Sequence, residues 1–494
     1  MKQDRTDGRE MRYNEWHRDY TGRDGRMNKI SGNEQHPLFR QVYEYMTARI
    51  GRGEWRVHDK LPSVRLLAEE LRIHRLTVFK AYQRLKEDGK VYVRDKSGYY
   101  VAPAAAPIEG GEEETDLGYR MYNRLSDIQR MPVKYQFSQA LIDPNLLPNL
   151  YLSDYVKEVF DRYPKVMGTY SGVEGDNELR EFLSGHFRVS RLLQAEPEEL
   201  LITSGAQQAI NLIASIMLMP MDCVMVERPT YGVALDIFRQ RGARLLAVDI
   251  TPGGYDLGEI EGLMERYRPR LFYMNPTHHN PTGYTVPVWQ RKRLVELAER
   301  YRCLLVEDDP FRDMYFAAEP PPPIFSYDTG GWVVYLGSFS KYVAPGLRIC
   351  AVICRFPLMD KLIAAKFMAD NGTPLLNQKI FLHYFTSPRL QGHLAKLRIA
   401  LQVHKEITER ELAGTGCRWT APQGGLNLWV NLPEHIPPET LFRKSMEQSI
   451  AFVPGEICDP QGEMKSWIRL SYSFTPEDVL DDGMSKLAEL MRSL

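Results

Sequence analysis

The chain has 494 residues, 43% hydrophobic and 26% charged, with 63 Lys/Arg against 64 Asp/Glu. That length exceeds one ordinary domain, and that composition supports a packed core, which excludes a wholly disordered chain. No apolar run approaches the roughly 18 residues of a membrane span, and the first residues lack the apolar stretch of a secretory signal. Charge is unevenly spread: residues 37–101 hold 14 Lys/Arg against 8 Asp/Glu, and residues 102–494 hold 41 against 49. A small basic unit ahead of a larger acidic body predicts an anionic partner for the front of the chain. The six cysteines are scattered without metal-ligand spacing. This predicts reduced thiols in a cytoplasmic protein and no metal site.

Residues 1–36 are polar and are predicted to form a disordered arm, with Met27 as an alternative start. Residues 37–102 are predicted to form three helices and a hairpin. Phe39, Val42, Met46 and Ile50 give the first helical stripe, Leu66, Leu67 and Leu71 the second, and Val78, Ala81, Tyr82 and Leu85 the third. Pro62 and Ser63 open the second helix, and Asp88-Gly89 closes the third. Val91–Val93 and Tyr99–Val101 alternate as two short strands. This order is a winged helix-turn-helix, whose recognition helix reads bases with its first residues. Those residues are His74, Arg75 and Thr77, with Lys60, Ser63 and Arg65 placed for phosphates and the wing tip, Lys96 to Gly98, placed for a minor groove.

Residues 103–134 are rich in Pro, Ala, Gly and Glu and are predicted to be a flexible linker. From 135 to 494, apolar runs alternate with helix-length segments: Leu200–Ile202, Cys223–Val226, Leu245–Val248, Leu271–Met274, Cys303–Val306, Trp332–Leu336 and Ala351–Cys354. The pattern predicts an α/β fold with mostly parallel strands and ligands at their carboxyl ends.

The residues that follow those runs carry chemistry. Ser338-Phe339-Ser340-Lys341 leads to Pro345-Gly346-Leu347-Arg348. A partly desolvated lysine forms Schiff bases with aldehydes, and serines with an arginine hold a phosphate. Pyridoxal phosphate carries both groups. Gly205-Ala206-Gln207 opens a helix, a site for phosphate oxygens. Tyr231 is placed to stack on a ring, and Asn280, between two Asn-Pro turns, to meet a phenolate oxygen. Asp308 is the choice to pair a protonated ring nitrogen, with Asp309 as the fallback. Arg469 lies in the apolar run Trp467–Tyr472 and needs an anion, either a ligand carboxylate or an internal Asp or Glu. His278 and His279 are adjacent in sequence and make a poor metal pair.

Residues 37–102 resemble the DNA-binding domain of the GntR family of bacterial regulators. The resemblance lies in Lys60-Leu61-Pro62-Ser63-Val64-Arg65 and Arg75-Leu76-Thr77-Val78, and it departs at His74 and Asp59. From about residue 135 the chain resembles fold type I pyridoxal-phosphate enzymes of the aspartate-aminotransferase superfamily, with a smaller C-terminal α+β subdomain. The two together resemble the MocR subgroup. By that resemblance Lys341 carries the Schiff base, Asp308 pairs the ring nitrogen, and Asn280 and Tyr231 hold the ring. Gly205, Ala206, Gln207, Ser338, Ser340 and Arg348 hold the phosphate, and Arg469 takes an effector carboxylate. Tyr170 matches a tyrosine that reaches a neighbouring subunit's phosphate. The implied protein is a homodimeric transcription regulator on nucleoid DNA. It binds paired half-sites and responds to the cofactor, an amine or an amino acid. The alternatives are an active aminotransferase with an appended DNA-binding domain, and a body that only scaffolds a dimer. One departure bears on the choice. Relatives commonly place a tyrosine two or three residues after the ring-pairing Asp, and here Pro310 and Phe311 stand there. Impaired transaminase turnover follows.

Overall fold

In the computed structural model, which describes residues 38–55, 58–87, 90–94, 98–102 and 124–494, Ser63 opens the second helix as its N-cap. Its Oγ accepts the Leu66 N–H at 3.2 Å ahead of the helix Val64–Leu71. A cap of this kind stabilises a helix by about 1 kcal/mol. His74 does similar work for the third helix, Arg75–Glu87: its Nδ1 accepts the Leu76 N–H at 3.2 Å. The first helix is Leu38–Gly51, and Val91–Arg94 pairs antiparallel with Gly98–Val101. Val42, Met46, Leu67, Val78, Ala81, Tyr82, Leu85 and Val101 are buried together, so the helical stripes close on one core. Phe39 lies outside it, 37% exposed. The expected arm 1–36, the stop at Asp88-Gly89 and the wing-tip Lys96 lie outside the described residues.

The chain divides into two compact units, of which this is the first. The second is built on an eight-stranded sheet. Its spatial order is Leu200–Thr203, Cys350–Ile353, Val333–Ser338, Leu304–Asp309, Leu271–Met274, Cys223–Arg228, Arg244–Thr251 and Gly254–Tyr255. Only Cys350–Ile353 and Gly254–Tyr255 run against the rest. The sheet is therefore mostly parallel, and apolar side chains cover both of its faces, which is why its strands read as unbroken apolar runs. A four-stranded antiparallel sheet near the C-terminus holds Arg418–Trp419, Asn427–Asn431, Trp467–Ser471 and Val453–Pro454 in that order. The helix Glu477–Arg492 contributes Leu480, Met484 and Leu487 to its core.

Two expectations need correction. Strands outrun the apolar runs, so Ser338 and the three carboxylates Glu307, Asp308 and Asp309 lie inside strands. Hydrogen bonds make this tolerable: Glu307 accepts from the Ile324 and Phe325 N–H groups at 2.9 and 3.0 Å. The stretch 103–134 is also not linker throughout. Arg124–Arg130 is a helix whose Leu125 packs with Trp429, Val453 and Cys458. Leu125 and Ile128 sit one helical turn apart and are both buried. Two apolar residues in a polar run were too few to announce it. Residues 103–123 lie outside the described residues. No helix among the described residues is long and apolar enough to cross a membrane, and no cluster there could hold a metal ion.

Candidate functional site

Six parallel strands end at one edge of the sheet, and the antiparallel strand Cys350–Ile353 begins there. Its register pairs Cys350 with both Thr203 and Ser338. Arg348, two residues before Cys350, therefore meets the residues that follow Thr203 and Ser338. Its guanidinium lies against Gly205, where a Cβ would come within 2.3 Å of Nη2. Gly205 caps the helix Ala206–Met217 with φ 91°, so glycine is required both for the backbone and for the close approach. Arg348 Nη2 also donates to the Ser204 carbonyl at 3.2 Å.

A cavity of about 360 Å³ opens at this edge. Ala206, Gln207, Tyr231, Asn280, Asp308, Ser338, Ser340, Lys341, Arg348 and Arg469 all line it. Gly205 lies behind Arg348 and does not line it. Tyr170 stands apart, 85% exposed.

Strand register decides between the two candidate aspartates. Leu336 lies opposite Asp308 and Gly337 opposite Asp309, and Tyr273 lies opposite Val306. Side chains alternate, so Tyr273, Val306 and Asp308 share one face, and Glu307, Tyr335 and Asp309 share the other. The Tyr273 hydroxyl donates to Asp308 Oδ2 at 2.7 Å, and the Tyr335 hydroxyl donates to Asp309 Oδ2 at 2.9 Å. Asp308 lines the cavity and Asp309 does not. Burial pushes the Asp308 carboxyl up to about 7; Asp309 adds to the rise, while the Tyr273 hydrogen bond and Lys341 oppose it. Its Oδ1 is buried and has no protein partner.

Lys341 donates to the Ala140 carbonyl at 3.0 Å. Burial lowers its ammonium to about 8, with Arg469 and Arg348 adding to the fall and Asp308 opposing it. Asn280 is 7% exposed, and its N–H donates to Asn275 Oδ1 at 2.6 Å. The Asn275 amide donates in turn to the Asp308 carbonyl. Asn275 therefore ties together Asn280 and Asp308, the two residues expected from the sequence to meet the ring's phenolate and nitrogen. Asn280 Oδ1 accepts from Asn427 at 3.3 Å and from Arg469 Nη1 at 3.4 Å. Arg469 is 2% exposed and also donates to the Ser138 carbonyl. Among the described residues no carboxylate lies within ion-pair distance of it, so the internal partner does not exist there. Its Nε is buried without a partner, and burial lowers its pKa. Phe311 lines the cavity and is 1% exposed, with no hydroxyl to offer. His279 is engaged with Glu227 at 3.2 Å and Thr282 at 2.8 Å, inside the fold.

The residues present fit pyridoxal phosphate. Asp308 Oδ1 and Ser340 Oγ are buried acceptors or donors without partners, and the Gly205 backbone leaves room for the Arg348 guanidinium beside a helix start. Sequence reasoning missed Tyr273, Asn275, Gln129, Arg130 and Gln139, which also line the cavity. Tyr273 was hidden inside an apolar run. Gln129 and Arg130 fell in the stretch read as linker.

On the first unit, His74 and Arg75 are exposed and Thr77 is half-buried. Arg65 pairs with Glu69 at 3.0 Å and Arg75 with the same carboxylate at 3.6 Å. Lys60 is bridged to Tyr100 of the wing, and its stem passes beside Gly98, which has φ 120°. The expected phosphate group Lys60, Ser63 and Arg65 is thus split between the wing and the second helix. Part of the hydrogen-bonding capacity of Ser63 and His74 goes to capping.

The family model for aminotransferase class I and II matches residues 153–487. The chain belongs to this family. The model for bacterial regulatory proteins of the gntR family matches residues 38–101. A gntR-family domain joined to such a body is the MocR arrangement. The chain is 29% identical over 470 residues to YisV, an uncharacterized HTH-type transcriptional regulator of Bacillus subtilis, covering 93% of this chain and 96% of that one. It is 33% identical over 376 residues to a 2-aminoadipate transaminase of Thermus thermophilus, covering 75% of this chain and 93% of the relative. Among solved structures it resembles the α-aminoadipate aminotransferase of Thermus thermophilus complexed with N-(5'-phosphopyridoxyl)-L-leucine. That match has TM-score 0.69 and 31% identity, over 75% of this chain and 94% of the other. The aminotransferase class I and II fold is a pyridoxal-phosphate fold.

Proposed function

We propose that this chain is a DNA-binding transcription regulator that holds pyridoxal phosphate on Lys341 and responds through it to an amine or amino acid. The observation that carries the reading is Asp308 Oδ1, a buried carboxylate oxygen without a partner in the cavity that Lys341 also lines. A protonated pyridine nitrogen is the group such an oxygen accepts. When bound, the cofactor supplies an electrophilic aldehyde carbon and an electron sink. Lys341 supplies the amine. Burial lowers its pKa to about 8, so the uncharged form is more accessible near neutral pH than in a free lysine. Gly205, Ala206, Gln207, Ser338, Ser340 and Arg348 hold the phosphate, Asn280 the phenolic oxygen, Tyr231 the ring face, and Arg469 an effector carboxylate. Tyr170, exposed and off the cavity, serves the site of a second subunit. A homodimer then presents two winged helices to paired half-sites in the cytoplasm, on nucleoid DNA. His74, Arg75 and Thr77 face bases, and Lys60, Ser63, Arg65, Lys96 and Gly98 face the backbone and minor groove.

The relative named as a regulator spans both units, which supports regulation over metabolism. The transaminase relative supports a second reading, an active aminotransferase with an appended DNA-binding domain. Phe311 argues against that reading, because a tyrosine hydroxyl is missing beside the ring. The deciding experiment is a titration of the full chain with pyridoxal phosphate, followed by binding to its own upstream DNA with a panel of amines. The protein should take up one cofactor per chain and gain visible absorbance, and DNA binding should respond to an amine. Lys341→Ala should abolish the covalent uptake and that response. A Lys341→Ala protein with an unaltered response would sink the reading, and a protein that stays colourless would favour a cofactor-free scaffold.

A further inference from the structure

The recognition helix Arg75–Glu87 keeps Val78, Ala81, Tyr82 and Leu85 fully buried. These recur at steps of three and one to three residues, so one stripe of the helix faces the core and the opposite stripe faces outward. The outward stripe carries two large apolar side chains among its polar ones. Leu76 is 55% exposed and Phe79 43%, and neither joins the core of the unit. Three residues apart, they are neighbours on the helix surface. Two other elements border the stripe. Gln83, one turn beyond Phe79, donates to the Tyr99 hydroxyl of the wing at 3.3 Å. Arg75, at the helix start, pairs with Glu69 of the second helix at 3.6 Å.

Single exposed apolar residues are ordinary on any surface. An apolar pair on the helix face that enters a major groove is a different case. Arg75, Lys80, Arg84 and Lys86 are exposed on the same helix. A symmetric contact with a second copy would set this face against itself, and each of those cations near its own kind. A duplex supplies phosphates for the cations instead. It also supplies an apolar group at the right depth: the C5-methyl of thymine is the one methyl that the four bases show in the major groove.

We infer that Leu76 and Phe79 read thymine, each burying a C5-methyl group in the major groove beside the base edge met by Arg75. The inference rests on the regulator reading and deepens it, because it names a base that the same surface selects. Arg75 supplies hydrogen bonds to a guanine, and the apolar pair supplies a contact that carries no hydrogen bond at all. The operator half-site therefore holds thymines next to that guanine.

The test begins with the cofactor-loaded full chain selecting duplexes from a randomised pool. The preferred duplex is then synthesised with thymine or with uracil at its fixed thymine positions. Uracil lacks only the methyl and keeps every hydrogen-bonding atom of thymine. By fluorescence anisotropy the wild-type chain should bind the uracil duplex at least about fivefold more weakly, the effect of unburying one or more methyl groups. Leu76→Ala and Phe79→Ala together should bring the thymine-to-uracil ratio close to one. Both side chains lie outside the core, so the double variant should keep its melting temperature, and the ratio is insensitive to a general loss of affinity. Equal binding of the two duplexes by the wild-type chain overturns the inference. So does a ratio that persists in the double variant: the methyl reading would then fall to Thr77, and a change in self-association alone would give the apolar pair to a second copy. A chain that enriches no sequence from the pool overturns the DNA-binding reading and this inference with it.

Discussion

The winged-helix unit and the aminotransferase-like body hold their polar groups in opposite ways. On the first unit Arg65, His74 and Arg75 stand exposed, and the two arginines share Glu69 at 3.0 and 3.6 Å. In the body Asp308, Asn280 and Arg469 are at most 7% exposed, and Asp308 Oδ1 and Arg469 Nε have no protein partner. Exposed charges act on a partner through screened contacts that each contribute little. Buried ones act where water cannot replace a missing partner, so one atom has a large effect. Substitutions that look alike on paper therefore differ in reach between the two units.

The largest effect separates the neighbours Asp308 and Asp309. Asp308→Asn removes the charge that faces the cavity, and cofactor affinity should fall by about a hundredfold or more, on the order of 3 kcal/mol for an unmatched buried charge. Asp309→Asn should leave affinity nearly unchanged, because that side chain is turned to Tyr335 on the far face of the strand. Its effect should appear as a lower melting temperature, worth about 1–3 kcal/mol for a disturbed buried hydrogen bond. Equal loss of cofactor in both variants would break the assignment by strand face.

A smaller effect comes from restoring a missing group. Phe311→Tyr places a hydroxyl on the cavity wall where the chain has only a buried ring. A phenol donor near the cofactor's phenolic oxygen favours its charged form. The pH at which the bound cofactor changes colour should then fall by about one unit, worth about 1.4 kcal/mol. Transamination between an amino acid and a keto acid should rise by about tenfold from whatever the parent shows. An unmoved titration would mean that another donor already serves that oxygen.

Much of the site was legible because several candidates follow apolar runs that read as strands. Lys341, Asn280, Tyr231 and the Gly205 turn announced themselves in this way. The preference for Asp308 over Asp309 could be stated from the sequence, but which of the two faces the cavity depends on register, which a single chain read in order does not display. Tyr273 could not be seen, because a tyrosine in Leu271–Met274 looks like core until the strand beside it is known. The helix Arg124–Arg130 was lost for a different reason. Its burial depends on Trp429, Val453 and Cys458, about three hundred residues later, and its own sequence is mostly polar, like the run before it. Ser63 is legible both as a helix opener and as a DNA contact, whereas the capping role of His74 emerges only with the backbone.

The smallest effects belong to the winged unit, and they divide by kind. Arg75, at the first position of the recognition helix, is placed for base edges, and Arg65, the second residue of the preceding helix, for a phosphate. Arg65→Ala should weaken binding about equally across sequences and flatten the salt dependence by about one unit of slope. Arg75→Ala should cost about tenfold on the preferred site and little on scrambled DNA, relaxing specificity at one position. Glu69 restrains both side chains. Glu69→Gln should therefore raise affinity for any duplex by a few-fold at low salt, and the gain should vanish as salt rises, because exposed pairs and phosphate contacts are screened alike. Fluorescence anisotropy at two salt concentrations measures all three variants. If Arg75→Ala lost specific and scrambled DNA equally, Arg75 would be a phosphate contact, and base reading would fall to His74 and Thr77.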